Sequence, residues 1–183
     1  MKEKIKTRGK VTATVYTKDG SIKRHSPGFF RRLFNIPGKE MISINHNIVT
    51  DEGDALIADL LAETPARNKL NNTNARIVVG TGWTGTNPKQ NTWLNNQVGS
   101  AEQLDATYPK VKGAFGAADD NVIQYRATFE AGDLNATGIN EAGLANATTS
   151  TGDLMAYAQI TPAVNISLSD TLQIDWELTF LGS

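Results

Sequence analysis

Apolar and polar residues alternate over several short stretches of this chain. In Lys10 to Lys18 (KVTATVYTK), Val11, Ala13 and Val15 interleave with Thr12, Thr14 and Tyr16, the period of a half-buried strand. Asp19-Gly20 and the run Ser21 to Arg24 follow, so a hairpin closed by a type I′ turn is predicted. Met41 to Val49 and Ala75 to Val79 read as further strands. Val122 to Phe129 puts Ile123, Tyr125, Ala127 and Phe129 on one face, and Leu154 to Ile160 is another apolar strand. The clearest pattern is the last, where Leu172, Ile174, Trp176, Leu178 and Phe180 alternate with Gln173, Asp175, Glu177 and Thr179.

One segment carries a convincing helical period. Thr50 or Asp51 can cap a helix at about 51–62, and its early acids suit the helix dipole. Leu56, Ile57, Leu60 and Leu61 would form the stripe that lies on a core, and Thr64-Pro65 would end it. Residues 82–116 show little periodicity and read as a long excursion with at most one weak strand. Glu130 to Thr137 (EAGDLNAT) and Glu141 to Thr148 (EAGLANAT) echo each other at a spacing too short for a solenoid repeat, and read as similar loops. The expected fold is therefore mainly β: an antiparallel sandwich or jelly-roll-like body with one packed helix and an N-terminal hairpin or arm.

Ser26 to Gly38 (SPGFFRRLFNIPG) breaks the pattern. Pro-Gly pairs bracket it, and it holds three of the six phenylalanines. One or two helical turns would set Phe29, Phe30, Leu33 and Phe34 beside Arg31 and Arg32. Two readings follow, a satellite core under a loop or an anchor on a partner subunit, with Arg24 beside it. A membrane-surface helix is a weaker third, since such helices are longer and more basic.

Charge sharpens the contrast. The net charge of −1 is a sum of unlike parts: residues 1–40 hold 11 Lys+Arg and 3 Asp+Glu, residues 41–183 hold 7 and 16. This divides the chain into a basic N-terminal arm or hairpin with the aromatic segment (1–40) and an acidic β-rich body (41–183). The arm's lysines and arginines (Lys2, Lys4, Lys6, Arg8, Lys10) fall on alternating positions. They lack the base-stacking groups of a nucleic-acid site, so an acidic protein surface is the better match.

Candidate chemistry is sparse. The chain has no cysteine and two histidines, which excludes thiol catalysis, Cys-ligated metals and a three-His site. Gly80-Thr81-Gly82-Trp83-Thr84-Gly85 has dinucleotide-loop spacing, but no apolar helical stripe follows it. Glu130, Glu141 and Glu177 are indistinguishable from surface acids in the sequence. No catalytic, cofactor or metal residues are assigned, no cofactor is expected, and an enzyme is the least favoured class. Trp83 and Trp93, with Tyr108, are possible surface aromatics for stacking on sugar, which keeps a carbohydrate-binding module as an alternative.

The ordered run GKVTATVYTKDGSIK, NIVTDEGDALIADLL, RIVVGTG, VIQYRATFEAG, INEAGL and DTLQIDWELTF resembles small structural proteins of tailed bacteriophage virions. The resemblance covers about three quarters of the chain; SPGFFRRLFNIPGKEM stands as an insertion in it. It implies a non-enzymatic, β-rich virion component, assembled in the host cytoplasm. The first expectation is a capsid decoration or cement protein, and a tail, baseplate or fibre component is the alternative. The implied partners are further copies of itself, a trimer by analogy, and the major capsid protein or tail proteins. Neither nucleic acid nor a membrane is among the expected partners.

Overall fold

The computed structural model describes residues 6–62 and 67–181. Among these residues nine strands form one sheet: β1 (Lys6–Tyr16), β2 (Ile42–Val49), β3 (Arg76–Gly80), β4 (Gln97–Gln103), β5 (Lys110–Val111), β6 (Val122–Phe129), β7 (Ala136–Ala145), β8 (Leu154–Ile166) and β9 (Thr171–Leu181). Two helices interrupt them, α1 (Phe29–Leu33) and α2 (Asp51–Leu60). The spatial order is β4-β3-β7-β8-β2-β1-β9-β6-β5, with every pair antiparallel. The mainly β, antiparallel body expected from the alternation is what forms.

The sheet curls so that its far ends share one core. Ile77 and Val79 of β3 lie in the same buried cluster as Tyr125, Ala127 and Phe129 of β6, although five strands separate β3 from β6 in the sheet. Near the curl, the Asp105 N–H donates to the Arg126 carbonyl at 2.8 Å. The alternation in β9 sets the inner face directly: Leu172, Ile174, Trp176 and Leu178 are buried. They pair in register with Val15, Ala13, Val11 and Gly9 of β1 and with Phe129, Ala127, Tyr125 and Ile123 of β6. On the outer face the same strands carry ion pairs, Arg126 to Asp175 at 2.6 Å and Lys112 to Glu177 at 3.0 Å.

β1 has a partner on both sides, β2 and β9, and buries Val11, Ala13 and Val15. The charge boundary at residue 40 thus does not coincide with a structural one, since residues 6–16 lie inside the body. Residues 1–5 of the basic arm lie outside the described residues. The Asp-Gly turn does form, but not as type I′. Gly20 alone has positive φ (80°), the Gly20 N–H donates to the Thr17 carbonyl at 2.8 Å, and the Thr17 N–H donates to Ser21 at 2.9 Å. This is a three-residue loop, and beyond it the return limb touches β1 only at a Tyr16–Ile22 bridge. The two sides of β1 are taken by β2 and β9, which pair with it over six and eleven residues.

α2 begins where its cap predicts. The Thr50 hydroxyl accepts from the Gly53 N–H at 3.0 Å. Of its apolar stripe, Leu56 is fully buried, while Leu60 and Leu61 stand 39% and 81% exposed. The helix therefore rests on β8 by its first turns only.

One segment departs from the sequence reading. The second echo, Glu141 to Thr148, is not a loop: Ala136–Ala145 is β7, flanked by β3 and β8. It escapes the alternation test because it is buried on both faces from Glu141 to Ala145 and is rich in small residues. The weak strand expected within the long excursion forms as the edge strand β4 at residues 97–103, where no residue is buried and the pattern is accordingly polar.

Candidate functional site

Two local constructions stand out from this body. The first is a knob at residues 26–38. Its stem is a narrow ladder: the Met41 N–H donates to Lys23 at 2.7 Å, the His25 N–H to Lys39 at 2.8 Å, and Arg24 bridges Glu40. The Arg24 guanidinium salt-bridges the Glu40 carboxylate at 2.8 Å and donates to the Gly38 carbonyl. Arg24 is thus a brace of the stem.

A five-residue helix is not stable on propensity alone, so local bonds must hold α1. Asn35 adopts the left-handed conformation (φ 55°), its N–H donates to Arg32, and the Ile36 N–H donates to Arg31 at 2.7 Å. That pair of bonds is a Schellman cap, and asparagine is one of the few side chains that tolerates its turn. Arg31 adds a bond to the Pro37 carbonyl at 2.9 Å.

The capped helix buries nothing. Phe29, Phe30, Leu33 and Phe34 are 75%, 74%, 66% and 68% exposed, and Ile36 is half exposed. The satellite-core reading of this segment is therefore not what the fold adopts. Phe29 and Phe30 only meet each other edge to face, 5.7 Å between centroids. At 150–250 Å² per aromatic side chain, the three rings alone leave roughly 400 Å² of apolar surface in water. That is within the ~300–600 Å² of the largest patch on a typical monomer, a patch that is often functional. Arg31 and Arg32 enter no ion pair among the described residues, and no acid occurs from Ser26 to Lys39.

The second construction is a pinned loop on the outer face of β3, β7 and β8. Residues 81–96 fold over that face and cover Val78, Ala145, Leu154 and Tyr157 with Leu94, Trp83 and Trp93. The Trp83 ring lies 4.8 Å from the Tyr157 ring. At the centre sits Glu141, fully buried. Its Oε1 accepts from the Gly82 and Asn96 N–H groups, both at 2.9 Å, and Oε2 accepts from the Asn95 N–H at 3.2 Å and from the Tyr157 hydroxyl. No cation pairs with it among the described ion pairs. Burial, and then the Glu141 carboxylate, push the Tyr157 hydroxyl well above its usual value, so it stays a donor.

This explains the glycine spacing that resembled a dinucleotide loop. The run does cradle an anion, but the anion is Glu141 of the same chain. A Cβ on Gly80 would meet Glu141 Oε1, and one on Gly82 would come within 2.6 Å of the Asn96 nitrogen. Of the three acids left unranked in the sequence, Glu141 is thus the structural one. The only sequence signal was its place beside a small-residue run that could be buried on both faces.

Trp83 and Trp93 are half-buried parts of this cover, and the Trp93 indole N–H donates to Gln97 at 2.7 Å. Tyr108 belongs to the main core instead, under Lys110 and Arg126. The three aromatics do not share a platform. Among the described residues, no three His, Asp or Glu side chains come together as a metal-ligand group. Nor is any described helix long and apolar enough to cross a membrane.

Comparison of the chain with protein-family models, curated proteins and solved structures gave no match.

Proposed function

We propose that this chain is a non-enzymatic structural protein of a tailed-bacteriophage virion, a capsid decoration protein that binds the head lattice as an oligomer. The observation that carries an assembly role is the knob. A braced stem and a capped helix hold out in solvent three phenylalanines, a leucine and two arginines that enter no ion pair among the described residues. Aromatic side chains and arginine are the types enriched in interface cores and hot spots. The body supports the reading as a rigid platform: a continuous sheet with a closed core and a long loop pinned by a buried carboxylate. Assignment to a virion rests on the ordered sequence resemblance. A tail, baseplate or fibre position is the other location within the same class.

The test is particle occupancy. Intact particles are imaged and probed for the chain, then reconstituted with wild type, Phe30→Ser/Phe34→Ser and Arg31→Glu/Arg32→Glu. We expect the chain at regular sites on the head and at least tenfold lower occupancy for both variants, each still folded by circular dichroism. Absence of the chain from particles, or unchanged occupancy of the variants, refutes the proposal.

A further inference from the structure

The knob has a counterpart at the opposite end of the sheet. β1 runs from Lys6, paired with Leu181, to Tyr16, paired with Thr171. The knob and its stem leave from the Tyr16 end. β6 starts at Val122, opposite Thr179, so the loop before it lies at the Lys6 end. Ten residue steps at about 3.3 Å each put roughly 33 Å of strand between the two ends.

That loop, residues 112–121, is also built to present a tip. The Lys112 N–H donates to Val122 at 2.8 Å, the Ala117 N–H to Ala114 at 2.9 Å, and the Gly116 N–H to Asp120 Oδ2 at 2.8 Å. The Phe115 ring at its apex is fully exposed (103%). Asp119 and Asp120 flank it and enter no ion pair among the described residues. Lys112, at the base, is already engaged by Glu177.

The two ends are complementary. One offers an aromatic cluster with Arg31, Arg32 and Lys39 and no acid; the other offers an aromatic tip with two carboxylates that enter no ion pair among the described residues, one of them, Asp120, also accepting from the Gly116 N–H. An apolar cleft elsewhere on the body is not a better receptor for the knob. It is lined by Leu60, Leu70, Val111 and Tyr125, but Lys69 and Lys110 also line it and would repel the arginines.

We infer that the knob of one copy docks on the 112–121 loop of the next, a head-to-tail contact between opposite ends of the sheet. This deepens the assembly role proposed above and rests on it. Such a contact is heterologous, so it generates a ring if its rotation closes and a stack if it does not. The knob alone presents roughly half of the ~800 Å² per partner of a standard interface, so the contact is weak between two free copies and gains from each added neighbour.

Sedimentation velocity from about 1 to 100 μM at low salt tests this. Wild type is expected to gain mass with concentration and to lose it as added salt screens the charges. Arg31→Glu/Arg32→Glu and Asp119→Arg/Asp120→Arg should each lower the association constant at least tenfold, and a mixture of the two should recover it, because opposite ends again match. Phe115→Ser, which removes a ring with no contacts, should weaken association without touching the fold. A monomeric wild type at 100 μM overturns the inference. So does loss on knob substitution with no effect of the Asp119, Asp120 and Phe115 changes, which is a knob-to-knob contact. Particle occupancy is scored separately: a wild type that is monomeric yet occupies particles refutes this contact alone, and one that stacks in solution yet is missing from particles refutes the virion role alone.

Discussion

Replacing Glu141 by alanine should release the loop at residues 81–96 while leaving the main core standing. The carboxylate satisfies three backbone N–H groups and one hydroxyl, and it is fully buried. Alanine leaves all four donors without a partner. An unpaired buried donor costs ~1–3 kcal/mol, and the low end applies because the loop can open to water. The four together come to about 4 kcal/mol, a large share of the ~5–15 kcal/mol that stabilises a typical domain. For a chain of this length that is a fall in Tm of about 8–16 °C. Glu141→Gln is the finer probe. The amide keeps the shape and one oxygen, but its NH2 faces either the Asn95 N–H with the Tyr157 hydroxyl, which can turn to accept, or the pair from Gly82 and Asn96. One or two donors lose their acceptor, so we expect about 1–3 kcal/mol and a smaller fall in Tm. Thermal unfolding by circular dichroism gives the totals. Hydrogen exchange at the amides of Gly82, Asn95 and Asn96 locates them: protected in wild type, fast in Glu141→Ala, while β1 and β9 stay protected. A Tm for Glu141→Ala within ~2 °C of wild type, with those three amides still protected, would refute the reasoning.

Further outcomes follow from burial and charge. Phe30→Ser/Phe34→Ser should leave Tm within ~2 °C of wild type by calorimetry, since neither ring buries anything in the free chain; a loss above ~1 kcal/mol would place the rings in a core after all. For Asp170, burial raises the carboxyl, but hydrogen bonds from Lys23 and Ser167 outweigh it and hold the carboxyl below its usual value. Its contribution to stability is therefore present above about pH 4 and lost as pH falls through the lowered folded value, so urea titrations of wild type and Asp170→Asn should converge in that acid range. Burial pushes the Tyr125 hydroxyl up to about 12, and the unfolded chain ionises near 10. Stability should thus hold to about pH 10 and fall between there and 12, and Tyr125→Phe should flatten that part of the fall; an unchanged slope counts against the burial argument.

Where one face of a strand meets the core and the other meets water, the alternation alone determined the element. β9 and β6 are legible for that reason, and so is the capped start of α2 at Thr50. The aromatic-arginine segment was visible as a candidate, because Pro-Gly pairs isolate three phenylalanines from every strand pattern. Its state was not visible: the same apolar turn can lie under a loop or stand in water, and only the absence of any surface folding over it decides.

β7 and Glu141 mark where the sequence falls silent. Period-2 patterning disappears when both faces are buried, so the strand between β3 and β8 has no polar register to read. A buried carboxylate looks like a surface one until the chain places backbone N–H groups around it, and those come from residues 82, 95 and 96, more than forty positions away. Sequence alone determined the half-buried strands such as β6 and β9, the lack of cysteine, and that charge is unevenly distributed along the chain. Tertiary structure decided that residues 6–16 run through the middle of the sheet. It also decided that the two exposed aromatic tips lie at opposite ends, because strand pairing between distant segments sets which loops share an end.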